Sequence, residues 1–289
     1  MPQSDRPSTA PWLFGGPSTT TPAINKLTLE RVIGTTSNLN SAVSVNVASG
    51  EVAYTAGRLV VVYNPRRNRQ VRFFRASKAV SCCTFSSDGK FLAVGEKGLD
   101  PAIIVFDTSS GTVLSELKAH KYGISCVSFC PNANVLVSCG FKHDRRMYIW
   151  NWRAARPVAA SRISQKVNSL IFAGSKQFVT VGEKHVKFWN LDASNVIFPG
   201  QEQDPNAADI NESSYDPSEH SVLAANLPNP NTPLPEIKGF PASILASHAT
   251  SSFVDVGCHA ATGKVFTVTS CGTLCTFDSK EQVMENWVR

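Results

Sequence analysis

Three residues in the middle of the chain, His120, Ser138 and Asp144, are of the types a hydrolase uses as base, nucleophile and orienting acid. Acyl transfer also needs an exposed serine and a set of donors for the oxyanion. Neither has a signal here, since Ser138 ends a short β-type run, Val135–Ser138. The set reads as non-catalytic, and no cofactor is expected.

The eight cysteines give no metal motif. Cys126 and Cys130, and Cys271 and Cys275, are separated by three residues, while Cys82 and Cys83 are adjacent. None is a C-x2-C knuckle followed by paired histidines, so no zinc site is expected. Cys82, Cys83, Cys126, Cys139, Cys258, Cys271 and Cys275 fall inside strand-like runs, and Cys130 follows one. They read as small buried thiols.

Charge is divided along the chain. Phe188 to Ile237 contains eight acids and no Lys or Arg, leaving the other 14 acids against all 28 basic residues. Within the basic remainder, Arg58, Arg66, Arg67, Arg69, Arg72, Arg75 and Lys78 put seven cations in 21 residues with no acid between them. Such a patch suits acidic protein tails, tubulin or phosphates, or else a solvated rim.

The elements that position these residues are short. Ile124–Phe129, Val135–Ser138 and Met147–Trp150 alternate apolar with small or polar residues, and Pro, Asn, Gly and Asp sit at the joints. That is the pattern of antiparallel strands. Third-strand aromatics recur at Tyr63, Phe106, Trp150, Trp189 and Phe277, at intervals of 43, 44, 39 and 88. A period of about 40–45 with four strands per unit marks a β-propeller. The last interval leaves room for a hidden blade, but residues 199–235 carry seven prolines and little strand patterning.

The expected fold is therefore all-β, an incomplete propeller of about five blades. Residues 1–23 form a disordered Ser/Thr/Pro-rich tail containing the Trp12–Phe14 cluster. Residues 24–191 hold blades one to four, opened by a lone strand at Leu27–Ile33. Residues 192–235 form an acidic disordered insertion, and 236–289 a further, truncated blade that begins near Ser252–Val256. Thr21 and Thr232, each followed by Pro, are minimal proline-directed phosphorylation contexts. No apolar run approaches the roughly 20 residues that cross a bilayer, and no signal peptide is read at the N-terminus. The expected compartment is the cytosol or nucleus.

Asp144 stands six residues before Trp150, His120 precedes the first strand of its repeat, and Ser138 ends the second. This arrangement resembles the structural tetrad of WD repeats. The resemblance implies that Asp144 accepts from His120, that His120 reaches Ser138, and that Ser138 meets the Trp150 indole N–H, which only donates. At the Asp144 position the other repeats carry Gly57, Asp100, Glu183 and Cys271. The phrases LERVIG, VAYTAGRLVVVYNPRRNRQ, AHKYGISCVSFCPN, VTVGEKHVKFWNL and TSCGTLCTFDSKEQVMENWV further resemble the N-terminal propeller of the mitogen-activated protein kinase-binding WD-repeat family. That resemblance implies a non-catalytic scaffold in the cytoplasm, with a relative at centrosomes and spindle poles, and partners among kinase-pathway or microtubule proteins.

Two surfaces are candidates for partner binding. One is the basic rim of Arg66, Arg67, Arg69 and Arg72. The other is the narrow face formed by the turns before first strands and between second and third strands, where Lys121, Tyr122, Phe141, Lys142, His143 and Arg145 gather. Binding of nucleic acid or acidic cytoskeletal tails is the alternative; no aromatic RNA-binding motif is present, so nucleic acid is disfavoured. An open propeller also exposes strand edges through which chains associate.

Overall fold

Short runs of three to seven residues, paired antiparallel with their neighbours, build the protein from four-stranded units. The computed structural model describes residues 29–36, 39–191, 233–244, 246–259 and 261–289. The tail expected at 1–23, Trp12–Phe14, Thr21 and Thr232, and residues 192–232 of the expected insertion lie outside the described residues. The chain divides into two units, residues 1–32 and 33–289. In the first, residues 29–32 carry no helix or strand.

The second unit holds five antiparallel sheets. The first comprises β1 (Val43–Val45), β2 (Val52–Ala56), β3 (Leu59–Asn64) and β4 (Arg69–Arg75). The second comprises β5 (Val80–Phe85), β6 (Phe91–Glu96), β7 (Ala102–Asp107) and β8 (Val113–Lys118). The third comprises β9 (Ile124–Phe129), β10 (Leu136–Gly140), β11 (Arg146–Asn151) and β12 (Arg156–Arg162). The fourth comprises β13 (Val167–Phe172), β14 (Gln177–Gly182), β15 (His185–Asn190) and β16 (Gly239–Pro241). The fifth comprises β17 (Phe253–His259), β18 (Lys264–Thr269), β19 (Leu274–Asp278) and β20 (Met284–Val288).

Third strands stop where an Asn or Asp side chain takes over the next amides. Asn64 accepts from Arg67 N at 3.0 Å, Asp107 from Ser110 N at 2.7 Å, Asn151 from Ala154 N at 3.2 Å and Asp278 from Lys280 N at 2.7 Å. The core lies between consecutive sheets rather than within one. Val62, Phe74, Leu92 and Phe106 fill the first gap, and Ile103, Leu136 and Trp150 the second. Ile149, Val167 and Trp189 fill the third, and Phe188, Phe253 and Phe277 the fourth. Each fully buried side chain of this size contributes about 1.5–3 kcal/mol. Among the described residues, no hydrophobic cluster joins the fifth sheet to the first.

Four expectations need correction. No strand forms at 29–33, and Ile33 is 92% exposed. The first sheet forms from β1 to β4 without residues 29–33. The first strand, expected at Ser41–Val47, is only Val43–Val45. A 3₁₀ turn at Asn40–Ala42 precedes it, and Asn46 Oδ1 ends it by accepting from Ala48 N and Ser49 N at 3.0 and 3.2 Å.

The boundary at 235/236 is displaced. Ala160 N donates to Pro235 O at 3.0 Å and Ile237 N to Ala160 O at 3.1 Å, a parallel bridge to the edge of the third sheet. The chain then returns to the fourth sheet as β16, with Phe240 opposite Phe188. Residues after 236 therefore complete the fourth blade before beginning the fifth. The fifth sheet is also a full four strands, because β20 pairs with β19.

Candidate functional site

The turn before β9 and the turn between β10 and β11 are held together by the four residues singled out above. His120 Nδ1 lies 2.7 Å from Asp144 Oδ2, His120 Nε2 lies 2.7 Å from Ser138 Oγ, and Trp150 Nε1 donates to Ser138 Oγ at 2.8 Å. Asp144 is acceptor-only, so His120 Nδ1 is the donor in this bond. Its other oxygen, Oδ1, accepts from the amides of Lys121 and Tyr122 at 2.7 and 3.2 Å. The His120 and Asp144 side chains are 1% and 2% exposed. Burial pushes the Asp144 pKa up, but the His120 bond and charge, with the two amides, outweigh it and hold the carboxyl below its ordinary range.

Two glycines admit this geometry. A Cβ on Gly140 would overlap the Asp144 carboxylate, and one on Gly123 the ring of Phe141. Ser138 is fully buried and its oxygen is taken by Trp150 and His120. The trio is bracing, with no approach for a substrate carbonyl.

The sequence reading missed two further braces. In the second sheet, buried Glu96 accepts Lys78 N at 2.8 Å and Ala102 N at 3.0 Å, tying the turn before β5 to the start of β7. Asp100, the expected counterpart of Asp144, instead offers its carbonyl to Lys78 Nζ at 2.6 Å. In the fourth sheet, His185 Nε2 lies 2.7 Å from Thr180 Oγ1, which accepts from Trp189 Nε1 at 2.9 Å. Burial, then the charge of Lys187, lowers the His185 pKa to about 4, so this ring is neutral. Thr and His at nine and four residues before Trp189 were the available signal. Glu183, the expected acid there, pairs at 3.7 Å with Lys166 on the surface.

Lys121, Tyr122, Lys142, His143 and Arg145 are exposed, with Phe141 half-buried among them. Tyr122, Phe141, Lys142 and His143 line one hollow of about 510 Å³ with Leu99 and Lys166. Arg66, Arg67 and Arg69 are exposed where β3 turns into β4, but Arg72 does not join them: it is half-buried, and its Nη1 donates to Ser109 O at 2.6 Å, linking the first sheet to the second.

All eight cysteines are free. Burial raises the Cys83 thiol to about 12. Cys271 departs from the expectation of a strand position. It is exposed in a turn, where Gly272 N donates to Thr269 O at 3.0 Å. Among the described residues, no group of three or more His, Cys, Asp or Glu is placed to hold a metal.

The profile of the WD domain, G-beta repeat, matches residues 68–107 and 111–151. Each match begins at the outer strand of one sheet and ends at the third strand of the next, so a sequence repeat spans two blades. The chain carries WD repeats. This WD-repeat chain is 34% identical over 268 residues to WD repeat-containing protein 62 of Mus musculus, covering 91% of the chain and 15% of that protein. It is 33% identical to mitogen-activated protein kinase-binding protein 1 of Mus musculus, covering 91% and 16%. It thus spans about 15% of the length of these relatives. A chain in the crystal structure of the mitotic checkpoint complex superposes with a TM-score of 0.62 at 16% identity, covering 98% of this chain and 75% of that one, and so shares the fold.

Proposed function

We propose that this WD-repeat chain is a non-catalytic scaffold that binds partner proteins through the narrow face of its blades. The observation that carries the reading is the pairing of buried and exposed residues at one turn. The buried His120–Asp144 pair fixes the Lys121 and Tyr122 amides, and these residues stand in solvent beside Phe141, Lys142 and His143. Rigid exposed aromatics beside cations suit a protein-binding surface. The His120/Ser138/Asp144 constellation is consumed internally, which argues against turnover.

Kinase-pathway proteins are candidate partners, because one relative is named for binding a mitogen-activated protein kinase. The reading extends to a cytoplasmic and centrosomal or spindle-pole location, tested by imaging a fluorescent fusion. Exposed Arg66, Arg67 and Arg69 favour a second reading, a rim that binds acidic tails. Affinity purification with Tyr122→Ser/Lys142→Glu and with Arg66, Arg67 and Arg69 all changed to Glu separates the two. Loss of partners only in the first variant supports the narrow face. Loss only in the second assigns the rim, and partners retained by both variants reject these surfaces.

A further inference from the structure

We propose that the narrow face carries an elongated cleft built for a short acidic peptide with one apolar anchor side chain. The inference rests on the scaffold reading and names its partner chemistry. Two hollows adjoin there. The first, of about 510 Å³, has walls of Leu39, Val80, Leu99, Tyr122 and Phe141, with Lys97 on its rim. The second, of about 450 Å³, runs past Ser164, Gln165, Lys184, Thr250 and Ser252. Lys142 and Lys166 line both, so they form the threshold between an apolar well and a polar trough. Each volume lies in the range of ligand sites, about 300–1,000 Å³.

The charge around the cleft is one-sided. Lys97, Lys142, Lys166 and Lys184 line it, and the one carboxylate among the lining residues is Glu183, already 3.7 Å from Lys166. A peptide that seats an apolar side chain in the well leads its following residues between Lys142 and Lys166 toward Lys184. Acidic residues there meet complementary charge. The sequence of chemistry is therefore directional, anchor first and acids after.

The well is preorganised. Leu99 is 68% exposed, yet the Leu99 and Asp100 carbonyls both accept Lys78 Nζ at 2.6 Å. Leu99 also bridges to Tyr122, and Asp100 N donates to Lys121 O at 3.0 Å. Tyr122 is in turn fixed through Asp144. With their backbones held by Lys78 and Asp144, the exposed leucine and tyrosine have less freedom to lose on binding, which favours affinity. Polynucleotide is the less suitable occupant, because the well is walled mainly by aliphatic chains and not by the stacked aromatics that bases use.

The test is fluorescence anisotropy with the full chain. The probe is a fluorescein-labelled peptide containing one leucine followed by a run of glutamates. Binding should weaken about tenfold with Leu99→Ser, and again with Lys142→Glu/Lys166→Glu. It should also weaken with probes in which glutamine replaces glutamate or glycine replaces leucine. Both protein substitutions are at exposed or half-exposed side chains, and an unchanged near-ultraviolet spectrum establishes that each variant is folded. The Arg66→Glu/Arg67→Glu variant should bind the probe like wild type.

Equal affinity for the glutamine probe, indifference to the cleft substitutions, or binding of a uridine homopolymer in place of the peptide overturns the assignment. If the probe fails while a protein partner is lost with Arg66, Arg67 and Arg69, the cleft falls and the scaffold survives. If no partner engages either surface, the scaffold reading falls as well.

Discussion

The carboxylate of Glu96 accepts the amide of Lys78 at 2.8 Å, so a single buried acid in the second blade spans the gap that His120 and Asp144 cross together in the third. Its second oxygen holds Ala102 N at 3.0 Å. Glu96→Ala leaves two inward amides without their charged acceptor and should cost about 3 kcal/mol. Glu96→Gln keeps one acceptor oxygen and should cost less. Urea denaturation of both variants checks the order; equal stability of wild type and Glu96→Ala would show that the clamp carries no energy.

Ser138 and Trp150 should behave as one unit. Ser138→Ala orphans the Trp150 indole N–H in a fully buried site, at a cost of about 2 kcal/mol. Trp150→Phe removes that donor. The double substitution should therefore be milder than the sum by about 1 kcal/mol. Strict additivity in a denaturation cycle would contradict the hydrogen bond.

Stability should fall on acidification in a window set by His185. Its folded pKa of about 4 lies below the unfolded value of about 6.5. Between those values the unfolded chain takes up a proton that the folded chain refuses. The contribution is whole above pH 6.5, declines as the pH falls toward 4 and then levels off, a loss of at most about 3 kcal/mol. Asp144 adds a later loss, because its lowered pKa stabilises the fold above the ordinary carboxylate range and that gain disappears as the pH falls through the folded value. His185→Gln keeps an acceptor for Thr180 without titrating. Its denaturation midpoints should be flatter than those of wild type between pH 6.5 and 4.

Gly140 and Gly257 offer a paired test of close approach. A methyl group on Gly140 meets the Asp144 carboxylate, while one on Gly257 meets nothing within 4 Å. Gly140→Ala should cost about 1–3 kcal/mol by forcing the turn apart. Gly257→Ala, inside β17, should be neutral or stabilise by about 0.5 kcal/mol. A thermal melt in which the two variants coincide would reject the contact.

The blades were legible where one residue dictates its surroundings. Trp150 and Trp189 are large, buried and placed at a fixed strand position, and Asn151 and Asp107 announce the turn that follows. Glu96 was not legible, because an acid after FLAVG reads as the solvent end of a strand, and its burial depends on the Lys78 and Ala102 amides that fold over it. β16 is Gly-Phe-Pro, with no propensity of its own, and exists because Lys187–Trp189 offers an open edge. Residues 29–33 departed in the opposite direction, since alternation alone does not make a strand there. The tetrad residues were found through the resemblance to WD repeats, whereas the hollow beside them is lined by Leu39, Leu99, Phe141 and Lys166, which share no motif.

The two end sheets each leave an apolar face uncovered. On the fifth, Val268 opposes Leu274 and Leu274 opposes Val288, making a row across three strands with exposures of 40%, 41% and 61%. On the first, Val43 and Val45 are 53% and 54% exposed along β1. Between the fifth sheet and the segment before β1, Asn40 Nδ2 donates to Val254 O at 3.2 Å. Unpaired sheet faces and edges of this kind associate. The isolated chain should therefore self-associate with rising concentration in size-exclusion chromatography with light scattering. Val45→Lys with Leu274→Thr should shift it toward monomer without lowering the melting temperature, because neither side chain is buried. A wild-type chain that stays monomeric across the concentration range would show that these faces do not drive association.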